Sequence, residues 1–189
     1  MKVIETTYKG LRFRSRLEAR VAVLLDEAKI KYLYEPEGFV FEDGTTYLPD
    51  FYLPNMDMFL ECKGIMSDKD ETKMCNLAKE TGKEIVIFGS DLIPWIGFYV
   101  DDRQEWYPTY EKGPGLITDC GFIAKCNKCH QVYFAAINGD WSCKCCGYHT
   151  EYNYATCKFL YDGEPDLLNY EPIKKARSKR FEFGEGGGK

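Results

Sequence analysis

The stretch "TYLPDFYLPNMDMFLECKG", residues 46–64, sets Asp50, Glu61 and Lys63 into a run otherwise rich in tyrosine, phenylalanine and leucine. Side chains alternate faces along a strand, so Glu61 and Lys63 share a face while Leu60 and Cys62 turn the other way. The short "PNMD" turn makes the strand carrying Asp50 the natural neighbour of 58–63, which lets Asp50 approach Glu61. Two carboxylates that close repel unless a cation lies between them, and hard oxygen donors select magnesium or manganese over zinc. A lysine on the same face completes a set suited to metal-assisted phosphodiester hydrolysis, orienting a water or stabilising the developing charge. The plainer reading makes Glu61 and Lys63 a solvated strand face and Asp50 a turn cap after Pro49.

A second constellation is made of sulfur. Five of the nine cysteines fall within residues 126–146, where Cys126 and Cys129 form one C-x-x-C pair and Cys143 and Cys146 another. Each pair offers two thiolates to one ion while the intervening chain folds back as a hairpin, the pattern of one closed structural zinc site. Val132, Phe134 and Trp141 can pad that hairpin, and Asn138-Gly139 suits its turn. Cys145 stands as an alternative to Cys143 or Cys146, with His130 and His149 as weaker substitutes. Cys62, Cys75, Cys120 and Cys157 are expected as small core residues. An odd number of cysteines, crowded in this way, fits reduced thiols and metal ligation better than disulfides.

The elements that must position these groups follow from periodicity. Leu17, Val21, Leu24, Leu25 and Ala28 recur at helical spacing behind Ser15 as N-cap, so a helix is expected over about 15–29. "FVFEDGTTYLPDFYLP" reads as a hairpin, with a strand near 39–42, an Asp43-Gly44 turn and a strand over about 46–53. "MFLECKG" is a third strand, residues 68–81 a helix with an acidic first turn, and "KEIVIFG" a strand buried on both faces. A helix-crossed return to a strand favours a mixed α/β sheet with helices on its faces. The expected division is a core over 1–100, a connector over 101–117, a zinc ribbon over 118–160 and a basic tail over 161–189 with a mobile end.

With 189 residues, 44% of them apolar and 15% aromatic, the chain can fill a core. It shows no apolar leader and no eighteen-residue apolar run, so a cytoplasmic protein with no membrane span is expected. Its net charge of −5 argues against nucleic-acid binding by the average surface. Charge is unevenly placed, however. Lys9, Arg12, Arg14, Arg16 and Arg20 crowd residues 9–20, and "KKARSKR", including Lys174, Lys175 and Arg177, carries five positive charges over 174–180. Such runs are ordinarily solvated faces, and become nucleic-acid contacts only beside a site that acts on nucleic acid.

Pro49-Asp50, Glu61-Cys62-Lys63, the upstream helix and an αβββαβ order over about residues 8–90 together resemble the PD-(D/E)xK nuclease superfamily, the restriction-endonuclease-like fold. The texture "YKGLRFRSRLEAR … YEPE … YLPDFYLP … ECKG" looks like small nucleases of phages and prophages, and also like the endonuclease subunit of heteromeric transposases. The resemblance implies a divalent-metal-dependent endonuclease, acting on DNA, with catalytic Glu18, Asp50, Glu61 and Lys63. Glu18, Asp50 and Glu61 would hold magnesium or manganese. Glu18 has a competing role, since Ser15-x-x-Glu18 is a capping box. Arg14 and Arg16, preceding that helix, are candidate phosphate contacts, and Lys174, Lys175 and Arg177 further nucleic-acid contacts. Glu35 and Glu37 are extra carboxylates within reach. Cleaving both strands with one site per chain favours a homodimer, and the zinc ribbon offers a surface for a protein partner. The alternative is a non-catalytic binding or regulatory protein on the same scaffold.

Overall fold

Helix α1, Arg16–Glu27, starts where the extended Ser15 accepts a hydrogen bond at its Oγ from Glu18 N, 3.1 Å away, the cap its sequence predicts. Its reciprocal half differs from a capping box. The Glu18 carboxylate reaches past the cap to Arg14 N at 3.0 Å. The computed structural model of the chain describes residues 4–105, 112–126, 128–136, 142–148, 157–159 and 171–181. The expected Asn138-Gly139 turn, Trp141, His149 and the end of the tail lie outside them, as does the side chain of Cys157.

In chain order the strands are β1 (Thr6–Tyr8), β2 (Leu11–Phe13), β3 (Leu33–Tyr34), β4 (Phe39–Val40), β5 (Thr46–Tyr47), β6 (Phe51–Leu53), β7 (Met58–Cys62), β8 (Ile85–Phe88), β9 (Pro94–Val100), β10 (Gly115–Cys126), β11 (Val132–Ala136) and β12 (Cys157–Phe159). Helix α2 covers Asp68–Thr81, as its spacing predicts, and α3 covers Glu171–Ser178. Strands β11-β10-β9-β8-β7-β6-β3 run side by side in one curled sheet, with β12 also on β10. Only β7 and β8 are parallel within it, joined by the α2 crossover; the other pairs are antiparallel. The fold is therefore mixed α/β. From α1 to β8 the main-sheet elements run helix, three strands, helix and strand, but the first of these strands is β3, which the sequence did not indicate; the strand expected near 39–42 is β4 and lies outside this sheet.

The expected strand over 46–53 is broken in two. Pro49 has no N–H to donate to a ladder, so β5 pairs only with β4 in a separate two-stranded sheet, and β6 joins β7 and β3. Side-chain alternation divides the interior. Val86, Phe88, Met58, Leu60, Phe51 and Leu53 face α1 and α3, while Ile85, Ile87 and Phe59 face Met74, Leu77 and Ala78 of α2. Each fully buried leucine or phenylalanine in these layers contributes roughly 1.5–3 kcal/mol. Cys62 is buried as expected; Cys75 is half-buried and Cys120 exposed, so Cys120 is not the core residue the sequence suggested.

Two further features were not read from the sequence. The β1–β2 hairpin turns through Lys9 and Gly10, both at positive φ, a two-residue turn that suits the strand twist. Strands β9 and β10 pair from Cys120 with Trp95 to Gly115 with Val100, and β10 then pairs with β11 from Gly121 onward. The expected module boundary at 118 thus falls inside one uninterrupted strand.

At Gly121, where β10 changes partner, a Cβ would lie 2.8 Å from the Pro94 carbonyl oxygen and 3.0 Å from its carbon. Backbone cannot rotate aside as a side chain can. Gly121→Ala is expected to destabilise the protein by roughly 1–3 kcal/mol in chemical denaturation, and unchanged stability would mean that this strand contact is not tight.

Candidate functional site

Three buried carboxylates meet where α1, β6 and β7 converge: Glu18, Asp50 and Glu61 are 6%, 3% and 1% exposed. Asp50 sits just before β6, and its neighbour Phe51 is paired with Leu60, which brings Asp50 beside Glu61. Asp50 N lies 3.4 Å from Glu61 Oε2. Burying an ionised carboxylate without partners is costly, and each of the three has partners. Asp50 Oδ2 accepts from Cys62 N at 2.8 Å, and its Oδ1 is 2.6 Å from Arg14 Nη2. Glu61 Oε2 accepts from the Tyr47 hydroxyl at 2.5 Å, and Lys63 Nζ lies 2.7 Å from Oε1. Glu18 Oε2 accepts from the Tyr34 hydroxyl at 2.6 Å as well as from Arg14 N.

The cations are themselves held from two sides. Arg14 Nε lies 2.7 Å from Glu35 Oε1, and Lys63 Nζ lies 3.2 Å from Asp70 Oδ1 in the first turn of α2. Glu35 has a positive φ of 46° and donates its N–H to the Asp50 carbonyl at 2.8 Å, a left-handed conformation that surrounding contacts must enforce. Burial, then the charges of Glu61 and Glu18, pushes the Asp50 carboxyl well above its ordinary pKa, against Cys62 N–H and Arg14. Burial would lower the Lys63 pKa, but Glu61, Asp50 and Asp70 outweigh it and raise the value. Lys63 is therefore an ammonium at neutral pH, a hydrogen-bond donor rather than a base. Burial and the adjacent Glu61 likewise raise Tyr47 and keep it a phenol that donates.

Arg14, Glu18, Asp50, Glu61 and Lys63 thus come together, with Glu35 engaged through Arg14; strand spacing alone anticipated the approach of Asp50, Glu61 and Lys63. Tyr34, Tyr47 and Asp70 were missed; "YLYEPE" and "TYLPD" did place tyrosines close in sequence to Glu35 and Asp50. The basic tail goes elsewhere. Ile173 and Ala176 bury α3 in the α1 layer, Lys175 pairs with Glu27 at 2.6 Å, Lys174 with Glu171 at 3.2 Å, and Arg177 donates to the Asp91 carbonyl. Glu27 ends α1, nine residues or about 13 Å along the axis from Glu18. Of the N-terminal cations, Lys9 pairs with Asp26 and Arg12 with Glu5.

The cysteine cluster is tighter than the carboxylate group. Among the described residues, Cys126, Cys129, Cys143 and Cys146 form the only set of three or more metal-binding side chains with all ligand atoms within 4.8 Å of one another. Cys126 Sγ lies 3.9 Å from Cys146 Sγ, and Cys129 Sγ 3.6 Å from Cys143 Sγ. A tetrahedron with metal–sulfur bonds of about 2.3 Å has edges of about 3.8 Å, so four thiols here can hold one ion. Lys128 N donates to Cys126 Sγ at 3.3 Å. The Cys126 thiol is brought down to about 7 because backbone N–H groups and neighbouring thiols outweigh burial, the largest single influence, which raises it. Cys145 points its thiol at the Val132 carbonyl, 3.8 Å away, which leaves Cys143 and Cys146 in the quartet. Cys126 and Cys143 also belong to the α1 layer, where Phe134 packs edge-on against Phe88.

Part of the chain is similar to two phage proteins. Endodeoxyribonuclease 1 of Enterobacteria phage T3 is 38% identical over 82 residues, 42% of this chain and 53% of that protein. Endonuclease I of Escherichia phage T7 is 36% identical over 92 residues, 43% of this chain and 60% of that protein. The chain thus spans a little over half the length of the curated relatives it matches. No family model matches it, and no solved structure does. No helix among the described residues is long and apolar enough to cross a membrane.

Protein purified under reducing conditions is expected to carry about one divalent metal ion per chain at the thiols, measured by elemental analysis. Because β10 carries Cys126 directly out of the sheet, Cys126→Ser with Cys129→Ser should lower the melting temperature of the whole protein in one transition. A separate low-temperature transition, with the main one unmoved, would mean that the cysteine module is energetically independent.

Proposed function

We propose that this protein is a divalent-metal-dependent endonuclease of the PD-(D/E)xK type that hydrolyses phosphodiester bonds in DNA, with zinc as the structural ion at the four cysteines. The observation that carries the reading is the buried meeting of Asp50, Glu61 and Glu18 with Lys63 paired to Glu61. DNA is favoured by the similarity to proteins named endonuclease and endodeoxyribonuclease. The donor set fits a hard cation: all three groups are carboxylates, and Asp50, pushed toward its neutral form by burial and then by Glu61 and Glu18, regains its charge most readily next to positive charge. Magnesium or manganese held by these three residues would polarise the scissile phosphate and lower the pKa of an attacking water.

The chain's own residues supply the rest. Lys63 donates to the charge that develops on phosphate and, as an ammonium, leaves proton acceptance to another group. Arg14, gripped by Asp50 and Glu35, presents a guanidinium to the phosphate backbone. Tyr34 and Tyr47 fix the orientation of Glu18 and Glu61, the usual task of groups that hydrogen-bond metal ligands.

Linear, nicked, branched and single-stranded DNA, each offered with and without magnesium, test the activity. Cleavage should require magnesium, and Asp50→Asn or Lys63→Ala should abolish it. Asn retains one acceptor, for Cys62 N–H, but turns its amide toward Arg14, so metal-free Asp50→Asn should fold with a lower melting temperature than the native protein. Glu18→Gln keeps size and hydrogen-bonding capacity but withdraws charge. It should fold normally and cleave about a hundredfold more slowly or worse. Tyr34→Phe should lose roughly ten- to a hundredfold in metal affinity or rate. Undiminished cleavage by Asp50→Asn or Lys63→Ala would overturn the assignment, and a folded protein that binds DNA but cleaves no substrate would favour a regulatory role on this scaffold.

A further inference from the structure

We infer that Ile65 and Met66 form an apolar prong that inserts against nucleobases within about two nucleotides of the scissile phosphate. The inference rests on the proposed phosphodiester site, and names what holds the substrate next to it. Ile65 is 84% exposed and Met66 40%, and Ile65 is the most exposed of the large hydrophobic residues described. A lone exposed apolar residue is ordinary; two in succession, separated by Gly64 alone from Lys63 of a buried charged site, are not.

The prong is mounted rigidly. Lys63 N donates to the Phe88 carbonyl at 2.9 Å, which fixes the N-terminal foot of the loop on the sheet. Ser67 fixes the other foot as the N-cap of α2, in a capping box completed by Asp70. The Lys63–Asp70 ion pair then closes the loop across its neck. Three intervening residues, Gly64, Ile65 and Met66, are left between pinned ends, so the apolar side chains project without the entropy of a long tip to lose on binding.

Their neighbourhood is apolar on the same side. Glu61 is in register with Ile87, and Ile87 with Trp95, so Glu61 and Trp95 lie on one face of the sheet two strands apart, about 10 Å. Trp95 is 41% exposed. Three of the seven exposed large hydrophobics among the described residues, Ile65, Met66 and Trp95, therefore sit at this end of the sheet.

Distance selects the occupant. The Ile65 backbone can lie no more than about 7 Å from that of Lys63, and bases are spaced about 3.4 Å along each strand. If Lys63 addresses the scissile phosphate, the prong meets bases one or two steps away. Leucine, isoleucine and methionine are among the side chains that part base steps, and the contact suits a base already free to leave its stack. Lys63 and Arg14 take the phosphates, and the prong takes the hydrophobic faces beside them.

The test uses the full chain with calcium in place of magnesium and DNA bearing 2-aminopurine one or two nucleotides from the cleavage position found with magnesium, or across the junction of a branched duplex if no cleavage is found. Binding by the native protein should raise 2-aminopurine fluorescence at least twofold. Ile65→Ala with Met66→Ala should abolish that rise and weaken binding by roughly tenfold, with an unchanged melting temperature because both side chains are exposed. Ile65→Leu with Met66→Leu should restore both signals. Equal fluorescence and affinity for the native and double-alanine proteins, or no binding of DNA by the native protein, would overturn the prong. Loss of the proposed function reads differently, as an absence of magnesium-dependent cleavage by the native protein, and leaves the calcium binding comparison decisive for the prong.

Discussion

Three carboxylates are buried within one junction, and the arrangement around them follows from the cost of keeping them there. Removing a carboxylate from water is expensive, and placing two side by side adds repulsion. Asp50 and Glu61 are adjacent because β6 and β7 are paired around the "PNMD" turn, so neither can retreat without breaking the centre of the sheet. Their neighbours answer each charge with a donor: Arg14 and Cys62 N–H for Asp50, Lys63 and Tyr47 for Glu61, Tyr34 and Arg14 N–H for Glu18.

That demand explains why distant segments come to one place. The β1–β2 hairpin exists to the benefit of Arg14, which follows it directly. Phe13 anchors the hairpin's end against Tyr34 and Phe51, with ring centroids 4.6 and 6.1 Å apart, so the same aromatic packing that buries Phe13 also carries the Tyr34 hydroxyl to Glu18. The β4–β5 hairpin delivers Tyr47 to Glu61, and the first turn of α2 delivers Asp70 to Lys63. Electrostatic satisfaction and hydrophobic packing are met by the same residues.

The cysteine module is joined to this centre through the sheet. Strand β10 begins on β9, changes partner at Gly121 and ends at Cys126, and Phe134 of β11 rests on Phe88, whose carbonyl accepts from Lys63 N. A metal ion at the thiols would brace the far end of a sheet whose middle holds the carboxylates.

The local pattern of residues determined a good deal by itself. Apolar spacing and Ser15 specified α1, the acidic turn and length specified α2, the run "EIVIF" specified a buried strand, and alternation put Glu61 and Lys63 on one face. The two C-x-x-C pairs specified a thiol quartet. These are short-range facts, set by 3.6-residue and two-residue periods and by turn chemistry. Tertiary structure decided what periodicity does not encode. Proline at 49 split one expected strand, β10 ran through an expected module boundary, and Lys175, Lys174 and Arg177 of "KKARSKR" went to Glu27 at the end of α1, to Glu171 and to the Asp91 carbonyl. Which hydroxyl meets which carboxylate, which lysine is held by two acids, and which cysteine of 143, 145 and 146 turns to a carbonyl are all settled by contacts between residues far apart in the chain. Partner choice for a charged side chain depends on distance and burial, and those exist only once the sheet has formed.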